Sequence, residues 1–216
     1  MEVLHIEARK KFDFDKINWK ALDELKLEEV SLAASVQYLD LLKEVKDYLE
    51  EKDIKVIVKK GAYHDGQVLG CNPVAFDENA KTLLLLCDGK FHALNNALRL
   101  GREISVFNGD RIENVAKEDI DKMKAKIKGK QAKFLSSNKI GLLVSTKLGQ
   151  ESKNFKKVAE KIEAKGKEIY VFSTDNIDVN EFENFNYIEM WVNTACFGIG
   201  LDDPRIVNLQ DILEFL

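Results

Sequence analysis

Thr82-Leu83-Leu84-Leu85-Leu86 is a strand-length run with four consecutive leucines and no polar residue after the first. A strand with one wet face alternates apolar and polar residues, so an unbroken run predicts a strand at the centre of a sheet covered on both faces. Upstream, Glu29–Ser35 (EVSLAAS) and Ile54–Val58 (IKVIV) read as two further strands. Between them Val36–Lys52 carries Leu39, Leu42, Val45, Tyr48 and Leu49 at helical spacing among charged residues. Downstream, Ile104–Phe107 is a fourth strand. Strands that alternate with helices, in a chain with only Pro73 and Pro204 as prolines, are the pattern of a parallel sheet.

The same grammar restarts after a lysine-rich helix expected over Lys117–Asn138. Lys139–Ser145 (KIGLLVS) is a strand, Gln150–Lys165 a helix with Phe155, Val158, Ala159 and Ile162 on one face, and Glu168–Phe172 a strand. Tyr187–Asn193 and Ile206–Leu209 follow as strands, and Asp211–Leu216 as a short last helix. The fold class is therefore α/β, two related three-layer domains with mainly parallel sheets. The expected divisions are an N-terminal extension or linker at 1–27, a first domain at 28–116, a linking helix at 117–138 and a second domain at 139–216. Within the extension, Met1–Ile6 could form an edge strand, and Trp19, Leu22, Leu25 and Leu27 a short helix.

Composition bounds the function classes. With 45% hydrophobic and 32% charged residues the chain is an ordinary globular protein, and its net charge of −4 argues against nucleic-acid binding by the whole surface. The lysines between Lys122 and Lys133 read as a solvated helix face. No stretch approaches the roughly 18–20 apolar residues of a membrane span, and charges begin at the N-terminus, which predicts a cytoplasmic protein without a membrane partner. Three cysteines without short-range pairing are not a disulfide framework.

Two of those cysteines stand in glycine-flanked loops: Cys71 in Gly66-Gln67-Val68-Leu69-Gly70-Cys71-Asn72, and Cys196 in Val192-Asn193-Thr194-Ala195-Cys196 followed by Gly198 and Gly200. Glycines let backbone N–H groups approach a sulfur, and thiolates are the donors of iron–sulfur clusters. The competing reading is a free thiol used as a small hydrophobe, which suits Cys87, at the end of the leucine run, better than the other two. Ser145–Gln150 leaves the end of a strand and enters a helix, where backbone N–H groups can hold an anion. In open α/β sheets ligands bind at such carboxyl ends of strands.

The strings Gly66–Asn72, Gly89-Lys90-Phe91-His92, Leu143–Gln150 and Val192–Cys196 with Asp202-Asp203, in that order, resemble the diphthamide-synthesis family. These are archaeal and eukaryotic 2-(3-amino-3-carboxypropyl)histidine synthases, non-classical radical S-adenosylmethionine enzymes. Gln37 resembles the family's Thr-Thr-x-Gln-His segment. The resemblance implies three similar α/β domains, each giving one cysteine to a [4Fe-4S] cluster whose open iron takes S-adenosylmethionine. The 3-amino-3-carboxypropyl group then goes to a histidine of elongation factor 2. By that resemblance Cys71 and Cys196 are two of the three cluster ligands; Cys87, His92 or a partner chain are the candidates for the third. Gln37, Gln67, Ser145, Thr146, Lys147, Gly149, Gln150 and Asp203 surround the S-adenosylmethionine.

The resemblance covers residues 28–216 and only the family's second and third domains, so the first domain, with its cysteine, is absent. Phe197-Gly198 replaces the usual Pro-Arg after the last cysteine, and Cys87-Asp88 replaces the small residues before Gly89. The implied partner is a paralogous or full-length synthase subunit, or a second copy in a homodimer, with elongation factor 2 as protein substrate. Two alternatives stand beside this reading: a non-catalytic accessory subunit without its own cluster, and a scaffold reused for another small molecule.

Overall fold

The structure is a computed structural model that describes residues 6–216 except Cys71, Leu148 and Glu151, with the side chain of Asp202 also outside the description. The chain divides into two compact units, Met1–Met123 and Lys124–Leu216.

In the first unit, helix α1 (Trp19–Asp23) precedes strand β1 (Glu29–Ala34), a 3-10 turn (Val36–Tyr38), helix α2 (Leu39–Glu50) and strand β2 (Lys55–Ile57). Then come β3 (Thr82–Leu86), α3 (Phe91–Leu100), β4 (Ile104–Phe107) and β5 (Ile112–Val115). The sheet order is β2-β1-β3-β4-β5. The first four strands run parallel, and β5 returns antiparallel to β4. The leucine run is β3, inside the sheet, and its side chains part as the two-residue period demands. Leu83 and Leu85 pack with Ala93 and Ala97 of α3, whereas Leu84 and Leu86 pack with Leu41, Val45 and Leu49 of α2. Burying each such leucine contributes roughly 1.5–3 kcal/mol. Helix α3 ends at Gly101, whose φ of 65° is the left-handed cap that glycine adopts without cost.

Trp19–Asp23 forms the short helix expected there, and with Phe12, Ile17, Leu25 and Leu27 this segment joins the α2-side core of the first unit. It is tied down by Asn18, whose backbone N and Nδ2 donate to Gly109 O at 2.9 Å and Asp110 O at 2.8 Å. Of the edge strand expected at Met1–Ile6, residues 1–5 lie outside the described residues, and Ile6 is not in a strand. Strand β5 was not foreseen, because Ile112-Glu113-Asn114-Val115 is a half-polar edge strand with no continuous apolar run.

Helix α4 (Lys117–Ser136) contains the division between the units. The second unit continues with β6 (Lys139–Ser145), α5 (Phe155–Glu163), β7 (Glu168–Thr174), a 3-10 segment (Val179–Phe185), β8 (Met190–Asn193), α6 (Ile199–Asp202), β9 (Ile206–Asn208) and α7 (Leu209–Ile212). Its sheet order is β7-β6-β8-β9, all parallel. Apart from β5, both sheets thus place their strands in the order second, first, third, fourth. One face of the second sheet, with Ile140, Leu142 and Val144, packs on Val158 and Ile162 of α5 and on Phe134. The other, with Leu143, Trp191 and Ile206, packs on Phe182 and Ile188. Strand β8 begins at Met190 and not at Tyr187, since the residues before it turn back through Ile188 N to Phe185 O at 2.9 Å.

The lysine run is a solvated face with one exception. Lys130 is 8% exposed and its Nζ donates to Gly200 O at 2.5 Å and Leu201 O at 3.2 Å, satisfying carbonyls that α6 leaves without helical partners. Among the described residues no helix is long and apolar enough to cross a membrane.

Candidate functional site

In the first unit the loop that carries Cys71 is laid along the carboxyl end of β1. Ala34 N donates to Gly66 O at 2.8 Å, and Val68 N donates to Ala34 O at 2.9 Å, so Gly66–Val68 prolongs the pairing where β2 has ended. Gly66 has φ of 71°, and its turn is held by Gln67. That glutamine is 4% exposed, and its Oε1 accepts from Tyr63 N at 3.2 Å and His64 N at 3.1 Å. The structure therefore gives the Gln67 carbonyl a role in shaping the loop, where the sequence reading had assigned it to a ligand. Gln37 lies exposed in the 3-10 turn, and its carbonyl accepts from Lys10 N at 2.9 Å.

Downstream, Asn96 of α3 donates through Nδ2 to Leu69 O at 3.3 Å and to His92 O at 2.7 Å, fastening the loop to the first turn of that helix. His92 faces Gly70: a Cβ on Gly70 would lie 3.6 Å from His92 Cδ2. Burial pushes the His92 pKa below the ordinary histidine value, so the ring is neutral at physiological pH. Cys71 itself lies outside the described residues.

Cys87, named above as a possible third ligand, lies in the core of the first unit. It is 1% exposed, its Sγ donates to Gly89 O at 3.3 Å, and burial, with Asp88 and Glu113 nearby, pushes the thiol up to about 12.

In the second unit Cys196 is exposed, just beyond the carboxyl end of β8. Its loop is built around Asn193, which is 2% exposed. Asn193 Oδ1 accepts from Ala195 N at 3.0 Å, while Nδ2 donates to Cys196 O and to Asn208 Oδ1, both at 2.8 Å. Thr194 adds a clamp to the neighbouring strand, its N and Oγ1 donating to Leu143 O at 3.1 Å and 2.8 Å. The Asn-Thr-Ala-Cys string is thus an Asx-type turn that holds the backbone rigid and leaves the sulfur outside.

The neighbouring loop, after β6, is braced by residues that the sequence reading missed. Ser145, 1% exposed, accepts through Oγ from Lys147 N at 3.1 Å. Thr146 Oγ1 donates to Asp175, Lys147 Nζ donates to Asn176 Oδ1 at 2.8 Å, and Thr146 N donates to Thr174 O at 3.0 Å. Gly149, with φ of 81°, and Gln150, whose N donates to Lys147 O at 2.9 Å, form the turn that follows. Asp175 and Asn176 directly follow the residue paired with Ser145 across the parallel β6–β7 register. Their participation was legible only once that register was known.

Asp203 is engaged elsewhere. It accepts from Arg205 N at 2.7 Å, Nε at 3.1 Å and Nη2 at 2.7 Å, and the guanidinium holds its carboxyl below the usual range. The structure thus pairs with Arg205 a carboxylate that the family resemblance had placed around the S-adenosylmethionine. Cys71 follows β2 and Cys196 follows β8, so the two cysteines occupy different joints of the shared strand order.

The family model of diphthamide synthesis proteins matches residues 1–206. The chain belongs to that family. Among curated proteins it is 25% identical over 179 residues to the 2-(3-amino-3-carboxypropyl)histidine synthase of Pyrococcus horikoshii, covering 81% of this chain and 52% of the relative. The crystal structure of Dph2 from P. horikoshii superposes with a TM-score of 0.80 at 22% identity, covering 90% of this chain and 59% of that one. A second structure of that Dph2, with a 4Fe-4S cluster, gives 0.78 at 23% identity with the same coverage. The diphthamide-family chain therefore spans about half the length of the curated relative it matches.

A cluster would require soft thiolate donors at an accessible strand end. Cys196 is exposed beyond the end of β8, and Cys87 is buried beyond the end of β3. Among the described residues there is no group of three His, Cys, Asp or Glu side chains that could hold a metal ion.

Proposed function

We propose that this chain is a subunit of the enzyme for the first step of diphthamide biosynthesis and that it contributes Cys71 and Cys196 to a [4Fe-4S] cluster. The observation that carries this reading is the exposed Cys196 sulfur on a loop made rigid by Asn193 and Thr194, in a family whose relative binds such a cluster. When bound, the cluster supplies the electron that cleaves S-adenosylmethionine, whose 3-amino-3-carboxypropyl group is transferred to a histidine of elongation factor 2. The chain's own contribution is positional. Asn193 fixes the backbone under Cys196, and Ser145, Thr146, Lys147, Gly149 and Gln150 form a braced loop for the nucleoside or amino-acid portion of that ligand. His92, neutral and beside Gly70, offers an uncharged ring next to the Cys71 loop.

Anaerobic iron and sulfide reconstitution tests the assignment. Iron per chain and the EPR signal of the reduced sample should fall in Cys71→Ala and Cys196→Ala and persist in Cys87→Ala. Equal iron in all three variants and the parent would refute it. A second reading, an accessory subunit that assembles with a catalytic partner without a cluster of its own, draws on Phe197-Gly198 standing where the family has Pro-Arg after the last cysteine. It predicts no iron binding by the chain alone or in the assembled complex.

A further inference from the structure

A strand at a sheet margin presents unpaired N–H and C=O groups, and proteins blunt such margins with short strands, proline, bulges or charges. Three of the four marginal strands follow that rule, since β2, β5 and β9 have three, four and three residues. The fourth, β7, has seven, pairs residue for residue with β6 without a bulge, contains no proline and carries no charge after Glu168. Glu168 N donates to Asn138 O at 2.8 Å and Thr174 O accepts from Thr146 N at 3.0 Å, both toward β6. Alternate residues of a parallel ladder bond to the same neighbour, so Ile169, Val171 and Ser173 turn their N–H and C=O groups to the open margin. Val171 is 46% exposed, and no hydrogen bond reaches these backbone groups among the described residues.

The same strand walls a pocket of side-chain size. A cavity of about 170 Å3 lies between one face of the second sheet and the 3-10 segment, bordered by Phe172 and Thr174 of β7 and by Leu143, Ile177, Phe185 and Trp191. Sites for separate drug-sized molecules run to roughly 300–1,000 Å3, so this one suits a single side chain. Asp178 and Glu181 are the charged residues of its lining among the described residues. Asp178 Oδ1 accepts from Asn180, and Glu181 Oε2 accepts from Asn184, which leaves one oxygen of each without a hydrogen bond among the described residues. Ionised carboxylates only accept, so they favour a cationic neighbour. An open strand margin beside a side-chain pocket is the arrangement by which sheets take an added strand, with main-chain bonds supplying affinity and the pocket supplying specificity.

We infer that the open margin of β7 takes an extended segment of a partner protein as an added strand. A bulky apolar side chain of that segment enters the cavity, and a lysine or arginine two residues away meets Asp178 and Glu181. Residues two apart on a strand share a face, which sets that spacing. The surroundings select a cationic segment: between Lys167 and Arg205 the sequence has no lysine, arginine or histidine, while Asp175, Asp178, Glu181 and Glu183 follow β7 closely. A second copy of this chain does not supply the anchor. Its β7 would offer Tyr170 and Phe172, which already pack on Tyr187 at 5.1 Å and on Phe185 and Trp191 at 4.7 Å. Neither glycine-flanked cysteine takes part, so this margin and the cluster reading are tested separately.

The test selects a displayed library of random peptides on the whole chain carrying Trp19→Phe, which leaves Trp191 as the single tryptophan. Proline is accepted at an edge position whose N–H faces solvent, so Val171→Pro removes one outward donor and keeps the fold; Ser173→Pro is a second such variant. The parent should enrich peptides of alternating β-forming residues with a lysine or arginine two positions from Phe, Leu or Ile. The best of these, made synthetically, should shift Trp191 emission saturably and slow hydrogen exchange of residues 168–174. It should bind about ten-fold more weakly to either proline variant, the loss of one hydrogen bond, and about three-fold more weakly to Glu181→Gln. No enrichment over the bare support, equal binding by both folded proline variants, or binding that leaves exchange of 168–174 unchanged would each overturn the assignment. So would a parent that sediments as a dimer and becomes a monomer in Val171→Pro, since the margin would then belong to a second copy.

Discussion

Replacing Asn193 by alanine should loosen the loop that presents Cys196, and the structure sets the size of the effect. Three hydrogen bonds end on this side chain: from Ala195 N at 3.0 Å, to Cys196 O at 2.8 Å and to Asn208 Oδ1 at 2.8 Å. Each contributes roughly 0.5–1.5 kcal/mol net, and the truncation also leaves Asn208, already 3% exposed with an unpartnered Nδ2, without its remaining contact to Asn193. The expected loss is about 3 kcal/mol in the second unit. With a urea slope of about 2 kcal/mol/M, the midpoint should fall by about 1.5 M. Trp191 fluorescence in the Trp19→Phe background reports that unit selectively, and hydrogen exchange of a peptide covering residues 191–198 reports the turn. Asn193→Ser, which retains a short acceptor for Ala195 N, should recover about a third of the loss. A midpoint shift below about 0.5 M with unchanged exchange would refute the view that Asn193 builds the loop.

Other expectations follow from side chains already described. Cys87 keeps its proton to about pH 12 in the folded state against an ordinary value of 9.0, so its contribution to stability is complete below about pH 9 and is lost as pH rises toward 12. Chemical denaturation at pH 8 to 11 should show that slope in the parent and a shallower one in Cys87→Ala. Asp203 has its carboxyl held low by Arg205, so the pair stabilises above about pH 4 and fails as pH falls. Asp203→Asn should cost about 1 kcal/mol at neutral pH, given the part-exposed arginine, and should flatten the acid limb of the unfolding curve. Gly141→Ala would bring a Cβ within 2.6 Å of Trp191 Cζ3. It should cost about 1–3 kcal/mol and shift Trp191 emission, and Trp191→Phe in the same chain should restore part of the stability.

The elements that declared themselves in the sequence are those buried on both faces. Thr82–Leu86 and Lys139–Ser145 have no polar phase to confuse with a helix or a loop, and both lie inside their sheets. Residues 12–27 were harder, because their apolar side chains follow no period and dock through tertiary contacts with α2 and the β4–β5 turn. At the candidate site, the loops could be located from glycines and cysteines, but the direction of each polar side chain could not. Gln67 turns inward to hold Tyr63 and His64, and Asp203 turns to Arg205. Asp175 and Asn176 escaped notice because nothing in Ser173-Thr174-Asp175-Asn176 marks it out until parallel pairing brings it beside Thr146 and Lys147.

Helix α4 also carries an internal reference for chemical footprinting. Lys117, Lys122, Lys124, Lys126, Lys128 and Lys133 are exposed, whereas Lys130 is enclosed with its ammonium on Gly200 and Leu201. An amine-acylating reagent should mark the six at once and Lys130 only when α6 lifts away. The ratio of labelled Lys130 to labelled Lys128, read from the same digest, is then a calibrated clock for opening of the segment that follows Cys196, independent of reagent dose and of protein concentration.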